Sequence, residues 1–511
     1  MAQYKKFGKI LAAGTLLASA LVLGACGKED EQASGKKTDT GKVDLHAKAD
    51  ISWSPILYVA TAPTEVVTQK IEEATNTNLT FNWIPDATKD ERMIAAIASG
   101  DMTDIVSLPT TLTTNSSVRQ ALKSGVFWEV SKYLDDYPNL KKISEDRREA
   151  ASIEGNLYGV PFQKDFARGG LLIRKDWLDN LGLKVPTNLD ELYEVAKAFT
   201  EDDPDGNGKD DTFGWSDRNE LRYGSFKTLA SYFGVPNGWA VDKNGKFTPE
   251  HETKEYKETM DYSRKLYKNG YLDKDFAVTS KDDQLQKFAQ GKAGIYAGLI
   301  SITQLKNMAS GINNKIEIVP QNKIAGPDGE YRIWSEGNGV NGLLAFPKSA
   351  VKTEAELKRV LQFVNDMMNE DVFMLMTGGI KETHYTIDEN GAYKILDNPL
   401  WQKDVQGFSG SRPSEITYKL KDADPDKQLV NDMISENDEI SIMDPTVPLE
   451  SATATERGTE LQKIIIDATI KYIMGEIDEK GFDAEVKKWK ESGGDQMKKE
   501  YEEAYKKANK K

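Results

Sequence analysis

A chain of 511 residues with one cysteine, Cys26, cannot be held together by disulfides. Its three histidines, His46, His251 and His384, are scattered, so neither a zinc cage nor a Cys/His nucleophile pair can be assembled. Folding must rest on apolar burial, and the length suffices for two or three cores of about 150 residues each. Lys and Arg number 67 against 82 Asp and Glu, a formal charge of −15. That balance argues against neutralising nucleic-acid phosphates or clinging to anionic lipid heads, so nucleic acid is not expected as a partner. No Gly-x-Ser-x-Gly elbow, His-Glu-x-x-His pair or Gly-x-x-x-x-Gly-Lys-Ser/Thr loop occurs, which removes support for the common hydrolase and nucleotide chemistries.

The lone cysteine ends an apolar run. Lys5, Lys6 and Lys9 precede Ile10 to Leu23, which is too short for a comfortable membrane span of about 20 residues but has the order of a secretory leader. Leu23-Gly24-Ala25-Cys26 resembles the bacterial lipobox, which implies a signal peptide over 1–25, cleavage before Cys26 and a diacylglycerol on its thiol. An uncleaved amino-terminal anchor is the alternative. Residues 26–49, rich in Gly, Ser, Lys and Asp, read as a flexible tether, and 50–511 as the folded body.

Within that body strand and helix patterns alternate. Ile51–Ala60 and Leu79–Ile84 are β-type, Glu65–Asn76 and Glu91–Ser99 have helical spacing, and Asp104–Leu108 is a short strand before a Thr-rich loop over 109–117. Thr187, three residues before Asp190, predicts a capped helix ending near Thr200. Leu343–Phe346 reads as a buried strand, Glu354–Met368 as a helix, and the chain from Leu461 onward as nearly all helix. This order predicts an α/β fold whose ligands sit beyond the carboxyl ends of strands.

Asp203, Asp205, Asn207, the Lys209 carbonyl and Asp211 fall at alternate positions around a Gly-Asn-Gly turn, the spacing by which a tight loop offers oxygens to a hard divalent cation. The twelfth position is Gly214 rather than a bidentate Glu, leaving Asp210 and Asp217 as nearby closing carboxylates. An acidic surface turn without metal is the other reading.

These residues, with Ala98–Ile105, Gly155–Pro161, Ile173–Leu183, Pro186–Leu192 and Phe288–Gly294, resemble the extracellular solute-binding lipoproteins of carbohydrate ABC importers, specifically the group related to oligosaccharide- and alginate-binding proteins. The resemblance implies a two-lobed fold of the periplasmic-binding-protein type (type II), with a hinge and an interlobe cleft. The amino lobe would comprise mainly 50–165 plus a returning segment, the carboxyl lobe mainly 170–330 plus the C-terminal helices. It further implies a structural calcium at the acidic loop, which relatives close with a Glu where this chain has Thr212.

Sugars are held by aromatic faces and planar polar side chains, so Trp residues among Gly and polar neighbours are the candidates. These are Trp215 with Arg222 and Tyr223, Trp239, and Trp334 with Glu336 and Asn338. Gln163, Lys164, Asp165 and Arg168 follow a strand, and Arg412 lies in a Ser-Gly-Ser-Arg-Pro loop. The expected function is capture of an oligosaccharide by lobe closure and delivery to a membrane permease served by a separate ATPase. The protein is expected to be a monomer, not an enzyme, lipid-anchored on the outer face of a Gram-positive cell membrane. A secreted glycoside hydrolase and a receptor for peptides or another small solute are the rival classes.

Overall fold

The computed structural model describes residues 44–299, 301–312, 315–412 and 418–509. The expected signal peptide, Cys26 and most of the tether lie outside the described residues. Asp44–Lys511 form one unit. It begins earlier than residue 50: the strand Ala49–Ser54 starts one residue before, Leu45 packs on the core, and Arg359 Nε donates to the Ala47 carbonyl at 2.7 Å.

The first sheet runs Thr77–Phe81, Ala49–Ser54, Ile105–Pro109, Val340–Ala345, Val160–Gln163. Its first three strands are parallel, with Ile51 opposite Leu79 and Trp53 opposite Ile105. The fourth strand comes from far along the chain and pairs antiparallel on both sides. Ile51, Trp53, Ile105, Val106 and Leu343 are buried from this sheet, and their core extends through residues 51–160 and 340–408.

The second sheet runs Ile318–Gln321, Gly169–Arg174, Ala293–Leu299, Phe213–Ser216. All six residues of Gly169–Arg174 are buried, as suits a strand covered on both faces. Its main core spans 167–334 and 449–497 and shares no member with the first. Two such cores, each drawn from separate stretches of chain, are two lobes.

Among the described residues, segments around 163–168 and 334–340 cross between them. The two are laced together: Lys164 N donates to Gly339 O at 2.9 Å and Glu336 N to Phe166 O at 2.8 Å. A Cβ at Gly339, whose φ is +74°, would stand 2.7 Å from the Phe166 ring, so only glycine lets the two strands of the hinge approach this closely. The third element of the hinge, Ser441–Ile442, pairs with Ile333–Trp334.

Strand direction places the cleft. Val160–Gln163 and the parallel strands of the first sheet end toward the crossing. In the second sheet Leu299 pairs with Gly169 and Ser216 with Tyr296, so two strand carboxyl ends meet where Gly169 enters. Both sheets thus present carboxyl ends at the hinge, where open α/β sheets bind ligands.

Two local expectations are corrected. The Thr-rich stretch is not a loop throughout: Thr110–Thr113 and Ser116–Lys123 are helical, the second capped by the Asn115 side chain. The helix Leu189–Glu201 is capped by Asn188, which accepts from Glu191 N, while Thr187 binds the Glu191 carboxylate.

Candidate ligand-binding cleft

At the hinge the first sheet ends in Gln163 and hands over Lys164, Asp165 and Arg168 before Gly169 opens the second sheet. The return crossing supplies Glu336. Arg168 Nη2 donates to Glu336 Oε2 at 2.8 Å, and Lys164 Nζ stands 3.6 Å from the same oxygen. Arg222 lies near enough to weaken the protonated form of Lys164. Burial is the chief cause that holds the Lys164 ammonium below its ordinary value; Arg168 and Arg222 add repulsion and Glu336 opposes them. Burial alone would raise Glu336, but Lys164 and Arg168 outweigh it and hold that carboxyl down.

Two cations therefore share one carboxylate, with Arg222 close to Lys164. Arg168 Nε is buried without a hydrogen-bond partner, so the guanidinium has donor capacity to spare. Beside it Arg222 stands over the Tyr223 ring at 5.6 Å, and Tyr223 meets Trp334 edge-on at 6.0 Å. Tyr223 is 39% exposed and Trp334 8%, so Tyr223 is the aromatic face open to a ligand.

Arg168 also lines a cavity of about 410 Å³, together with Gln163, Lys164, Asp165 and Arg412. Its far wall is the helix Pro425–Ile440, through Gln428, Asn431, Asp432 and Ser435. Four cationic side chains (Lys164, Arg168, Arg412, Lys419) face two anionic ones (Asp165, Asp432) there. An acidic protein concentrates positive charge in this one cleft, which selects for anionic or strongly hydrogen-bonding ligands.

Gln163, Asp165, Arg168, Arg412, Arg222, Tyr223, Trp334 and Glu336 are thus brought to the hinge region. Gln428, Asn431, Asp432 and Ser435 were missed, although their spacing of three and four residues marks one polar helix face.

Three sequence candidates are corrected. Trp215 sits on the strand Phe213–Ser216, wholly buried in the second core, and cannot touch a ligand. Asn338 is consumed by the hinge: its Nδ2 donates to Asp444 O at 2.8 Å and its Oδ1 accepts from Asp444 N at 2.9 Å. Trp239 lies away from this cavity, packed against Tyr501 at 5.4 Å and Trp489 at 6.2 Å.

In the acidic loop Asp203 accepts from the Asn207 and Gly208 amides, and the Asn207 side chain donates to Asp205 at 2.9 Å and Asp211 at 3.1 Å. Burial, then the neighbouring Asp203 and Asp211, raise the Asp205 carboxyl. Donor types and order fit a hard cation. Among the described residues, however, no group of three or more His, Cys, Asp or Glu is gathered as a metal-holding cluster. Thr212 is corrected as a ligand: it is buried and its Oγ1 donates to Phe199 O at 2.9 Å. Asp217 is likewise committed, accepting from Ser225 N and Arg218 N, and its burial pushes it up to about 6.

On another face the lobes are bridged by charge. Arg119 and Lys123, on a helix whose Val118 and Leu122 belong to the first core, reach Glu450 at 2.8 and 2.9 Å. Lys507, on the last helix, reaches Glu154 at 2.8 Å.

Residues 59–371 match the family described as bacterial extracellular solute-binding protein. Over 503 residues, 98% of this chain and 99% of the relative, the sequence is 47% identical to the polygalacturonan/rhamnogalacturonan-binding protein YtcQ of Bacillus subtilis (strain 168). Over 507 residues, 96% of this chain and 97% of the relative, it is 32% identical to lipoprotein LipO of the same strain. In fold it is similar to an HMO-binding, ABC-transporter-associated solute-binding protein of Bifidobacterium longum infantis, with a TM-score of 0.68 at 20% identity, covering 91% of this chain and 100% of that one.

Proposed function

We propose that this chain, which belongs to the bacterial extracellular solute-binding protein family, captures an acidic oligosaccharide of the polygalacturonan or rhamnogalacturonan type between its lobes and passes it unchanged to an ABC permease. The observation that carries this reading is the surplus of positive charge at the hinge, where Lys164 and Arg168 share the Glu336 carboxylate and Arg222 lies close to Lys164. A uronate carboxylate placed there accepts from guanidinium donors, and its ring finds the exposed face of Tyr223. The likeness to YtcQ, a polygalacturonan/rhamnogalacturonan-binding protein, supports the same class.

Ligand contacts made from both lobes supply the differential affinity that draws the lobes together, and the closed form is what the permease reads. The ATP-hydrolysing subunit is a separate chain, and the receptor acts as a monomer. Cys26 carries the lipid that holds it to the outer face of the cell membrane of a Gram-positive bacterium, a reading supported by the likeness to lipoprotein LipO. Calcium at the acidic loop completes the picture: Asp203, Asp205, Asp211, the Asn207 side chain and the Lys209 carbonyl would hold it, and its charge would offset the repulsion that raises Asp205.

The test is isothermal titration of the chain with trigalacturonate and with neutral maltotriose, followed by analysis of the recovered sugar. Tight binding of trigalacturonate alone, with the sugar recovered intact, is expected. Equal affinity for both, or release of new reducing ends, would contradict the reading.

A further inference from the structure

The charged cluster of the cleft and its aromatic face, Lys164, Arg168, Glu336, Arg222 and Tyr223, lie on the crossing segments or on the carboxyl lobe. A ligand resting on these alone would bind the open and the closed receptor alike. Since a ligand moves an equilibrium only by the difference in its affinity for the two states, closure needs further contacts on the amino lobe.

Tyr58 follows the strand Ile56–Leu57, which pairs parallel with Ile84–Pro85, and so stands at a strand carboxyl end of the amino lobe. Ile56 is buried in the first core, yet Tyr58 is 45% exposed, more than Tyr223. Gly410 backs its ring: a Cβ there would lie 2.5 Å from the ring and 2.4 Å from Ile56 O, so the loop passes this close only as glycine. Tyr58 shares a small crevice with Phe162 and Gly410. Phe162 also lines the hinge cavity of about 410 Å³, as do Ser409 and Arg412, which flank Gly410. The exposed ring therefore borders the cleft from the amino-lobe side. Charges near it are engaged with other groups: Lys89 Nζ stands 2.9 Å from Asp86 Oδ1, and Asp90 accepts from Thr111 Oγ1 at 3.2 Å. What the amino lobe holds open at this edge is a neutral, flat ring, the counterpart of Tyr223 and the kind of surface on which a sugar lays its C–H face.

We propose that Tyr58 is the platform on which a sugar ring of the captured oligosaccharide comes to rest as the lobes close, so that this one side chain couples binding to closure. The proposal rests on the reading of the cleft as a site for an acidic oligosaccharide and deepens it: the cations at the hinge select the ligand, and Tyr58 turns its arrival into the closed shape.

Isothermal titration and X-ray scattering of the full chain, both with trigalacturonate, test it. The wild type should bind the sugar and contract. Tyr58→Leu keeps apolar bulk over Gly410 but removes the flat face; it should weaken trigalacturonate about tenfold and leave the radius of gyration at saturating sugar close to its ligand-free value. Tyr58→Phe retains the ring and should bind and contract like the wild type. Arg168→Gln should bind more weakly yet still contract at saturating sugar, which separates selection from closure. Because Tyr58 is partly exposed, its variants should melt within a few degrees of the wild type. Full contraction of Tyr58→Leu, an affinity within about twofold of the wild type, or a wild type that binds without contracting would overturn the role of Tyr58. So would a Tyr58→Phe variant that matches Tyr58→Leu. A wild type that ignores trigalacturonate would contradict the acidic cleft itself, and the proposal would fall with it; failure at Tyr58 alone leaves the reading of the cleft standing.

Discussion

The hinge cleft and the packed cluster around Lys227, Glu250 and His251 in the carboxyl lobe contain similar side chains in opposite states. At the hinge, Lys164 and Arg168 share the Glu336 carboxylate, with Arg222 close to Lys164, and the cluster stays partly open to solvent. In the carboxyl lobe, Lys227 and Glu250 are paired one to one, the lysine buried and the glutamate half-buried, beside a histidine kept neutral. Unbalanced, accessible charge is a demand that an external anion meets. Balanced, largely buried charge is part of the lobe's packing. The contrast predicts that substitutions at the Lys227–Glu250 pair and at His251 cost stability, and that substitutions at the hinge cost affinity.

The largest effect should come from breaking the buried pair. Lys227→Met leaves the half-buried Glu250 uncompensated and should lower unfolding stability by about 3 kcal/mol, read by urea denaturation. A loss below about 1 kcal/mol would mean that the pair is not buried in solution. Next comes His251, which is faced by Glu250 and Lys490. Its folded value, about 4, lies below the ordinary 6.5, so its contribution is full above pH 6.5 and is lost as pH falls toward 4. Denaturation across that interval should show up to about 3 kcal/mol more loss in the wild type than in His251→Phe. Parallel curves would refute a buried neutral histidine.

At the hinge, Arg168→Gln should weaken trigalacturonate by about 2 kcal/mol, some thirtyfold, with little change in melting temperature. An unchanged Kd would remove Arg168 from the site. Calcium comes next: added to the metal-free chain it should raise the melting temperature by a few degrees, and Asp205→Ala should abolish the rise. The smallest effect is expected at Glu450, whose partly exposed ion pairs to Arg119 and Lys123 join the lobes. Glu450→Ala should change stability by less than about 1 kcal/mol but enlarge the ligand-free radius of gyration in X-ray scattering. An unchanged radius would show that these pairs do not hold the lobes.

Much of the fold was legible because its signals are local. The alternation of strand and helix from Ile51 onward, the helix after Asn188 and the helices from Leu461 onward are written in apolar periodicity. The site was legible where chemistry follows a strand end, as in Gln163 to Arg168. Trp215 was misread because Gly214 suggested a loop; glycine stands there because a Cβ would lie 2.6 Å from the Ala196 carbonyl, where the strand packs on the helix Leu189–Glu201. Thr212 was misread because its turn toward Phe199 depends on the same packing. Asn338 and the polar face of Pro425–Ile440 gain their roles only through contacts across more than a hundred residues of chain, which no short-range pattern records.

A crystal structure with a bound galacturonate oligosaccharide tests the central claim most directly. A uronate carboxylate within about 3 Å of the Arg168 or Arg222 guanidinium, its ring against Tyr223, is the predicted result. A sugar bound with its carboxylates in solvent and Arg168 still paired only with Glu336 would contradict it.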